Sequence, residues 1–416
     1  MSYKVDLQKV KDAATVIKSV VIKTPLLPNF NLSNTFGATI LLKREDLQQV
    51  RSYKIRGAYN KISSLTSEER KNGIVCASAG NHAQGVAFAC KNLEINGTIF
   101  MPIPTPKQKI EQVKMFGGQF VTIQLVGDTF DDASAKAMEL CTQLESTFVH
   151  PFNDEKIIEG QATIGLEILE QSTEPIDYVF VPVGGGGLAS GLSSVFRELS
   201  PKTKIIGVEP AGAPSMQAAF KEGKTVKLPS IDKFIDGAAV QEVGELTFAI
   251  CKQNLDKVVT VAEGKVCQTI LDLYNKEAIV VEPAGALTIS ALELFTDEIK
   301  DKNVVCVVSG SNNDIIRTPE IKERALLYNG LKHYFIIRFP QRAGALKEFL
   351  MHVLGENDDI TFFEYSKKTS RENGPAVVGI ELEQKEDLSP LLQRMKDRNF
   401  YGDYLNDKPN LFEFLV

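Results

Sequence analysis

One turn of the chain has the residues to bind an anion. The segment Cys76 to His82 joins a predicted strand end to a predicted helix start and carries the polar side chains of Ser78 and Asn81. Backbone N–H groups at a helix start have no partner within the helix, so they and these side chains suit a carboxylate or a phosphate. An ordinary helix cap is the alternative that this segment alone leaves open.

A run of four glycines could hold a second anion. Gly184 to Gly187 follow the apolar strand Tyr178 to Pro182 and precede a predicted helix that begins near Ala189. Glycine in a packed element costs roughly 0.5 to 1 kcal/mol relative to alanine, so the run favours a loop whose amides wrap an anion. The pattern of a triphosphate loop is absent, and the run lies far from the first strand, where a dinucleotide fingerprint usually falls. A monophosphate fits best, and a tight turn without a ligand is the alternative.

Two further segments are ambiguous when taken singly. Lys54 follows Tyr53 directly before a helical pattern, a position typical of a surface lysine, and Ser309 lies in a common type of turn after a strong strand. Glu282 and the proline after it are more typical of a helix start than of a site. No zinc site is expected, because metal-ligand spacing is lacking among the histidines His82, His150, His333 and His352.

The elements that must position these residues alternate as strand and helix through about residue 315. This pattern predicts a doubly wound α/β body in two lobes, the smaller one at about residues 46–148. The ends of its parallel strands are where ligands bind in such folds. The predicted strands are Thr39 to Lys43, Gly73 to Ala77, Gly97 to Met101, Gln119 to Gln124, Tyr178 to Pro182, Lys204 to Glu209 and Asn303 to Ser309.

The last fifth of the chain is richer in aromatic residues and predicts a separate unit. A predicted linker helix at residues 319–330 divides the α/β body, residues 1–318, from a domain at residues 331–416. The order βαββαβ predicts a ferredoxin-like α+β fold. Its predicted elements are the strand His333 to Phe339, the helix Ala343 to Leu354, the strands Thr361 to Ser366 and Ala376 to Leu382, the helix Leu388 to Arg398 and the strand Leu411 to Leu415.

Composition excludes several other classes of protein. The chain has 416 residues, a formal net charge of −6, 43% hydrophobic and 24% charged residues, which are values of an ordinary globular protein. No basic run suggests nucleic acid, and no apolar stretch suggests a signal peptide or a membrane span. The six widely spaced cysteines are predicted to be reduced core residues, and a cytoplasmic setting is expected.

Taken together, these motifs resemble the pyridoxal-phosphate enzymes of the tryptophan synthase β type (fold type II), and within them the threonine dehydratase family. The resemblance implies that S-Y-K-I-R-G-A carries the cofactor lysine, Lys54, which also acts as catalyst. It implies that S-A-G-N-H binds the substrate carboxylate through Ser78, Asn81 and His82. The cofactor-binding residues implied by the full set of motifs are Lys54, Tyr53, Asn81, Asn153, Gly184, Gly185, Gly186, Gly187, Leu188, Gly237 and Ser309.

Three departures from the family pattern bear on the reaction. Tyr53 stands where phenylalanine is common and keeps the aromatic ring. Ala79 stands where related serine racemases carry a serine that works on the opposite face of the substrate, which favours elimination without racemisation. The family's cation site would use Glu209 and Ala213, but its acid position is Ser215, so no metal is expected.

The implied activity is dehydration and deamination of L-threonine, with L-serine as secondary substrate, at the first committed step of isoleucine biosynthesis. The tail resembles an ACT-like regulatory domain, with L-isoleucine as inhibitor, L-valine as a possible opposing effector and a homotetramer as the assembly. A domain used for assembly only is the alternative for the tail. Catabolic dehydratase, serine racemase and a non-catalytic nucleotide-binding sensor are the alternatives for the whole chain.

Overall fold

The computed structural model describes residues 4–365 and 373–415, which divide into two compact units between Ile315 and Ile316. The first unit contains two sheets. Its strands are β1 (Leu26–Pro28), β2 (Thr39–Arg44), β3 (Ile74–Ala77), β4 (Gly97–Met101), β5 (Val121–Leu125), β6 (Thr147–Phe148), β7 (Tyr178–Pro182), β8 (Lys204–Pro210), β9 (Lys257–Val261) and β10 (Asn303–Val308).

The larger sheet has six strands in the order β1-β2-β10-β7-β8-β9, all parallel except the β1 edge. Its central strands are continuous apolar runs because helices cover both faces. All five residues of β7 are buried. The smaller sheet is parallel, in the order β5-β4-β3-β6, and its strands lie within the predicted smaller lobe.

Helices separate nearly all of these strands, which confirms the predicted doubly wound body. They are α1 (Leu7–Ile17), α2 (Phe30–Phe36), α3 (Lys54–Ser63), α4 (Ser67–Asn72), α5 (Asn81–Leu93), α6 (Lys107–Gly117), α7 (Phe130–Leu144), α8 (Glu155–Gln171), α9 (Gly187–Leu199), α10 (Ser215–Glu222), α11 (Glu245–Asn254), α12 (Glu263–Glu277), α13 (Pro283–Ser290) and α14 (Thr296–Ile299). Within the described residues, no helix is both long and apolar enough to cross a bilayer.

Helix α3 joins the two lobes, since it packs against α5 on one side and α8 on the other. A Cβ atom at Gly57 would lie 2.8 Å from the backbone oxygen of Ile157, so glycine permits the close approach of α3 and α8. Arg56, on the same helix, is fully buried and pairs with Glu45 and Glu167. Packing and buried charge therefore fix the helix that begins with Lys54.

The second unit is a four-stranded antiparallel sheet in the order β12-β13-β11-β14. This order is that of a ferredoxin-like fold and confirms the predicted class. Its elements are α15 (Thr318–Tyr328), β11 (Lys332–Pro340), α16 (Ala345–His352), β12 (Asp359–Tyr365), β13 (Asn373–Glu381), α17 (Leu388–Asp397), β14 (Tyr401–Tyr404) and α18 (Pro409–Leu415). The end of the predicted second strand, Ser366, lies outside the described residues.

The predicted last strand, Leu411 to Leu415, is wrong. Tyr401–Tyr404 pairs with β11 instead, and a Cβ atom at Gly402 would lie 2.4 Å from the backbone oxygen of Ile336, so this pairing depends on glycine. Pro409 begins a helix, and the Phe412 ring packs edge-on against Tyr334. The aromatic run suggested a strand, whereas its apolar residues lie on a short helix.

Two smaller differences concern local geometry. Strand β5 begins at Val121, after the predicted Gln119, because residues Gly118–Phe120 form a 3₁₀ turn that starts at a positive φ of 55°. The cysteines are free, as predicted, and five of them are buried, whereas Cys141 is only half-buried.

Candidate active site

Lys54 begins α3 and lies next to the end of β10. The backbone N–H of Tyr53 donates to the oxygen of Ser309 at 3.2 Å, and Ser52 forms an antiparallel bridge with Gly310. These contacts tie the lysine of the smaller-lobe segment to the carboxyl end of a strand in the larger sheet. Lys54 and Ser309, 255 positions apart by their numbers, therefore share one pocket.

The amine of Lys54 has an environment that favours its neutral form. Its Nζ donates to the backbone oxygen of Pro151 at 2.9 Å and lies 5.4 Å from the centre of the Tyr53 ring. Burial lowers the pKa of Lys54 to about 8, while the charge of Glu282 acts in the opposite direction. A lysine with a lowered pKa can act as nucleophile or base near neutral pH.

The glycine run forms the turn between β7 and α9. Gly186 caps the helix with a positive φ of 89°, a conformation that favours glycine. A Cβ atom at Gly185 would lie 2.2 Å from the ring of Phe152. Leu188 is buried in the core, so only its backbone can face a ligand. The run therefore presents the free amides of a helix start at the carboxyl end of a parallel strand, where a phosphate can bind.

One pocket brings together six of the residues predicted from the sequence. Its lining comprises Tyr53, Lys54, Asn81, Pro182, Gly184, Gly237, Ala238, Glu282, Ala284 and Ser309. The pocket lies between the two lobes, since Asn81 belongs to the smaller sheet's helix α5 and Ser309 follows β10 of the larger sheet.

The three residues predicted in the turn after β3, Ser78, Asn81 and His82, have different environments. Asn81 faces the pocket, and the hydroxyl of Ser78 accepts from the backbone N–H of Gly80 at 3.2 Å. His82 is buried, and its Nε2 lies 2.9 Å from the backbone oxygen of Val149. Burial, with the charge of Lys54, lowers the pKa of His82 to about 3, so its ring is neutral. The histidine therefore stabilises the turn through a buried contact, whereas the asparagine faces the pocket.

Asn153 lies beside the glycine run and away from the pocket lining. Its side-chain oxygen accepts from the backbone N–H of Leu246 at 3.0 Å, at the start of α11. Its backbone N–H donates to Nδ1 of His150 at 2.8 Å. The structure thus places Asn153 as a brace of the segment that carries Phe152, the residue packed against Gly185.

Glu282 is the site residue that sequence reasoning missed. It precedes α13 with Pro283 at the first helical position, so the predicted helix start is correct, but its side chain makes no cap. The carboxylate instead lines the pocket, where both oxygens accept from Nδ2 of Asn81, at 2.7 and 2.9 Å. The E-P-A-G segment has no sequence feature that predicts the contact of Glu282 with Asn81.

Two of the residues aligned with the family's cation site, Glu209 and Ser215, form hydrogen bonds with the backbone of the chain. The carboxylate of Glu209 accepts from the backbone N–H groups of Met216 and Gln217, at 2.7 and 2.8 Å. The hydroxyl of Ser215 donates to the backbone oxygen of Val240. Within residues 4–365 and 373–415, no cluster of three or more histidine, cysteine or acidic side chains could hold a metal ion.

The lysine and the glycine run lie near the carboxyl ends of parallel strands. Family models identify the class of protein that has this arrangement. Residues 17–310 match the family model described as pyridoxal-phosphate dependent enzyme. Residues 323–415 match the model described as the C-terminal regulatory domain of threonine dehydratase.

Full-length relatives narrow the class. The chain is 54% identical over 413 residues to L-threonine dehydratase biosynthetic IlvA of Halalkalibacterium halodurans, covering 99% of this chain and 100% of that protein. It is 56% identical over 401 residues to the protein of the same name from Bacillus subtilis, covering 96% and 95%. A solved structure, the processed form of threonine deaminase isoform 2 from Solanum lycopersicum, superposes with a TM-score of 0.72 at 40% identity and covers 78% of this chain and 96% of that one. The chain belongs to the threonine dehydratase family of pyridoxal-phosphate dependent enzymes.

The residues present fit this cofactor. A primary amine with a lowered pKa faces the pocket, and the glycine turn leaves open a cradle of backbone amides. An amine suits the cofactor's aldehyde, and helix-start amides suit its phosphate.

Proposed function

We propose that this chain deaminates L-threonine, by elimination of water followed by hydrolysis, to 2-oxobutanoate and ammonia, with L-serine as a secondary substrate. The observation that carries the proposal is the shared pocket of Lys54, Asn81 and Ser309 in a chain whose full-length relatives are named L-threonine dehydratase. The family model and these names support the cofactor and the reaction class.

Pyridoxal phosphate, when bound, supplies an electron sink for the charge that develops at Cα of the substrate. Lys54 would hold the cofactor through Nζ, and the same atom, when free, would take the proton from Cα of the substrate. Its lowered pKa makes the amine available for both roles near neutral pH. Gly184 to Leu188 would hold the phosphate by their backbone N–H groups, and the hydroxyl of Ser309 would meet the ring nitrogen.

Substrate binding is assigned to the turn after β3. Ser78 and Asn81 would hold the carboxylate, together with the N–H groups that begin α5. His82 supports this turn through its contact with Val149, since the ring is buried and neutral. Tyr53, Asn153 and Gly237 complete the proposed surroundings of the cofactor, with Asn153 acting through the segment it braces.

The second unit supports a proposal of feedback control. A catalytic domain at residues 1–318 would be followed by the linker helix 319–330 and a regulatory domain at residues 331–416. L-Isoleucine is the proposed inhibitor and L-valine the opposing effector, in a cytoplasmic homotetramer. The match of residues 323–415 to a regulatory domain of threonine dehydratase supports this proposal.

A steady-state assay tests the proposed function directly. The purified holoenzyme should release 2-oxobutanoate from L-threonine faster than pyruvate from L-serine, and L-isoleucine should slow the reaction. A colourless protein that releases neither 2-oxo acid would contradict the proposal and would favour a nucleotide-binding sensor.

A further inference from the structure

The carboxylate of Glu282 lines the active-site pocket and has no part in the roles proposed for Lys54, Asn81 and Ser309. Glu282 is 5% exposed, and its side chain does not cap α13. A Cβ atom at Gly310 would lie 2.4 Å from Oε1 of Glu282, so glycine at that position leaves room for the carboxylate. The backbone N–H of Glu282 donates to the oxygen of Gly310 at 3.2 Å, which fixes where the side chain starts.

The partner of this carboxylate is a residue with a proposed substrate contact. Nδ2 of Asn81 donates to both carboxylate oxygens, at 2.7 and 2.9 Å. On the other side, Oδ1 of Asn81 accepts from Nδ2 of Asn312, which also donates to the backbone oxygen of Val50 at 3.0 Å. A flipped Asn81 would turn its oxygen toward a carboxylate and its nitrogen toward another amide donor. The two neighbours therefore allow one orientation of the Asn81 amide.

We propose that Glu282 is a positioning residue: its two oxygens share one N–H of the Asn81 amide and fix the orientation of that amide, so that the second N–H of Nδ2 is left to donate to a ligand in the pocket. The inference rests on the proposed function, because the donor is the group assigned to the substrate carboxylate and the cofactor. Asn312 completes the arrangement by occupying the oxygen of Asn81.

The charges around Glu282 make this arrangement sensitive to pH. Burial, helped by the charge of Asp236, raises the pKa of Glu282 to about 7, while the hydrogen bond from Asn81 and the charge of Lys109 act in the opposite direction. Lys54 also interacts with this carboxylate, as does the hydroxyl of Tyr53. Above about pH 7 Glu282 is ionised and accepts both hydrogen bonds, whereas below it a proton removes part of that acceptor capacity. Activity should therefore fall as pH drops through about 7.

Glu282→Gln keeps the shape of the side chain but replaces one acceptor oxygen by an amide donor, so the Asn81 amide is no longer fixed from the side of residue 282. The holoenzyme of this variant should keep the absorbance of its lysine-bound cofactor, lose about 10- to 100-fold in kcat/KM for L-threonine and lose the acid limb near pH 7. Glu277→Gln is the matched control, since Glu277 also accepts from an asparagine amide, Asn31, but at the surface. This control should leave kcat/KM and its pH profile unchanged.

The double variant Asn81→Asp with Glu282→Gln separates positioning from simple support of the fold. Donor and acceptor are exchanged, so the pair still forms and thermal stability should return toward that of the wild type. Because residue 81 then has no N–H to offer, kcat/KM should stay low. Recovery of kcat/KM in the double variant, or wild-type kinetics in Glu282→Gln, would overturn the proposal.

One readout keeps the test independent of the reaction. Titration of the wild-type holoenzyme by cofactor absorbance should show an inflection near pH 7 that Glu277→Gln retains, and a flat titration would contradict the role of Glu282. If the wild type released no 2-oxobutanoate from L-threonine, the proposed function would fail, while this titration would still report on Glu282.

Discussion

The Nζ atom of Lys54 donates to the backbone oxygen of Pro151 at 2.9 Å, although 97 positions separate the two residues. Pro151 follows β6 of the smaller sheet and precedes α8, so the contact holds the amine at the junction of the lobes. A carbonyl accepts a hydrogen bond without carrying a full opposing charge. Burial therefore lowers the pKa of Lys54 to about 8 and leaves the amine ready for chemistry.

Replacing Arg56 by alanine should destabilise the first unit strongly. Its guanidinium is fully buried and bonds both oxygens of Glu45 and both of Glu167, at 2.6 to 2.9 Å. Loss of the cation leaves the buried carboxylate of Glu45 without its ion-pair partner and leaves Glu167 paired with Lys43 alone, which costs about 3 to 5 kcal/mol. Denaturant unfolding measures the change. Lys114→Ala, which removes an exposed pair with Glu111, should cost less than about 1 kcal/mol, and an equal effect of both variants would contradict the account.

Gly185→Ala should impair cofactor binding by moving Phe152. The new Cβ would lie 2.2 Å from that ring, so the glycine turn must shift. We expect a reduced fraction of holoenzyme by absorbance and a lower melting temperature. Adding Phe152→Ala removes the clash and should restore part of the cofactor content. If the cofactor content did not recover, the loss of cofactor in Gly185→Ala would have a cause other than this clash.

Ala79→Ser should introduce some racemisation. Ala79 lies in the turn after β3, two positions before the pocket residue Asn81, and is half-buried. A hydroxyl there supplies the group that related serine racemases carry on the opposite face of the substrate. Chiral chromatography of reactions with L-serine should detect D-serine from the variant and none from the wild type. Absence of D-serine would mean that other residues control that face.

Removal of the second unit should abolish the response to L-isoleucine while leaving turnover of L-threonine. The cut belongs after Ile315, because α15 packs with the second unit and the hydroxyl of Tyr334 donates to Glu323 of α15 at 2.5 Å. Rates of L-threonine turnover by the shortened protein, measured with and without L-isoleucine, test this expectation. Inhibition that survives in the shortened protein would place the effector site in the catalytic body.

Sequence reasoning recovered the strands that are buried on both faces, since a continuous apolar run between turns has few other interpretations. The runs at β7 and β10 matched within one residue, and so did the glycine turn after β7. The last strand was misplaced because aromatic residues suit both a strand and a helix face. Only the pairing of Tyr401–Tyr404 with β11 resolves the choice, and such pairing is not a local property.

The residues of the site were predicted from the sequence with uneven success, for a similar reason. Motifs located the backbone features of the pocket, namely a lysine before a helix, a glycine turn and a serine after a strand. The direction of side chains depends on distant contacts, such as that of His82 with Val149 or Asn153 with Leu246. Glu282 was missed because its contact with Asn81 joins residues 201 positions apart.

Lys54 is the residue proposed to carry the cofactor. The measurement that tests this assignment most directly is peptide mapping by mass spectrometry after borohydride reduction of the yellow holoenzyme. Reduction makes the bond between cofactor and lysine permanent, so the modified peptide identifies the residue. We expect the pyridoxyl group on the peptide that contains Lys54 and loss of the yellow colour. A pyridoxyl group on a different lysine, or reduction without any modified peptide, would contradict the assignment.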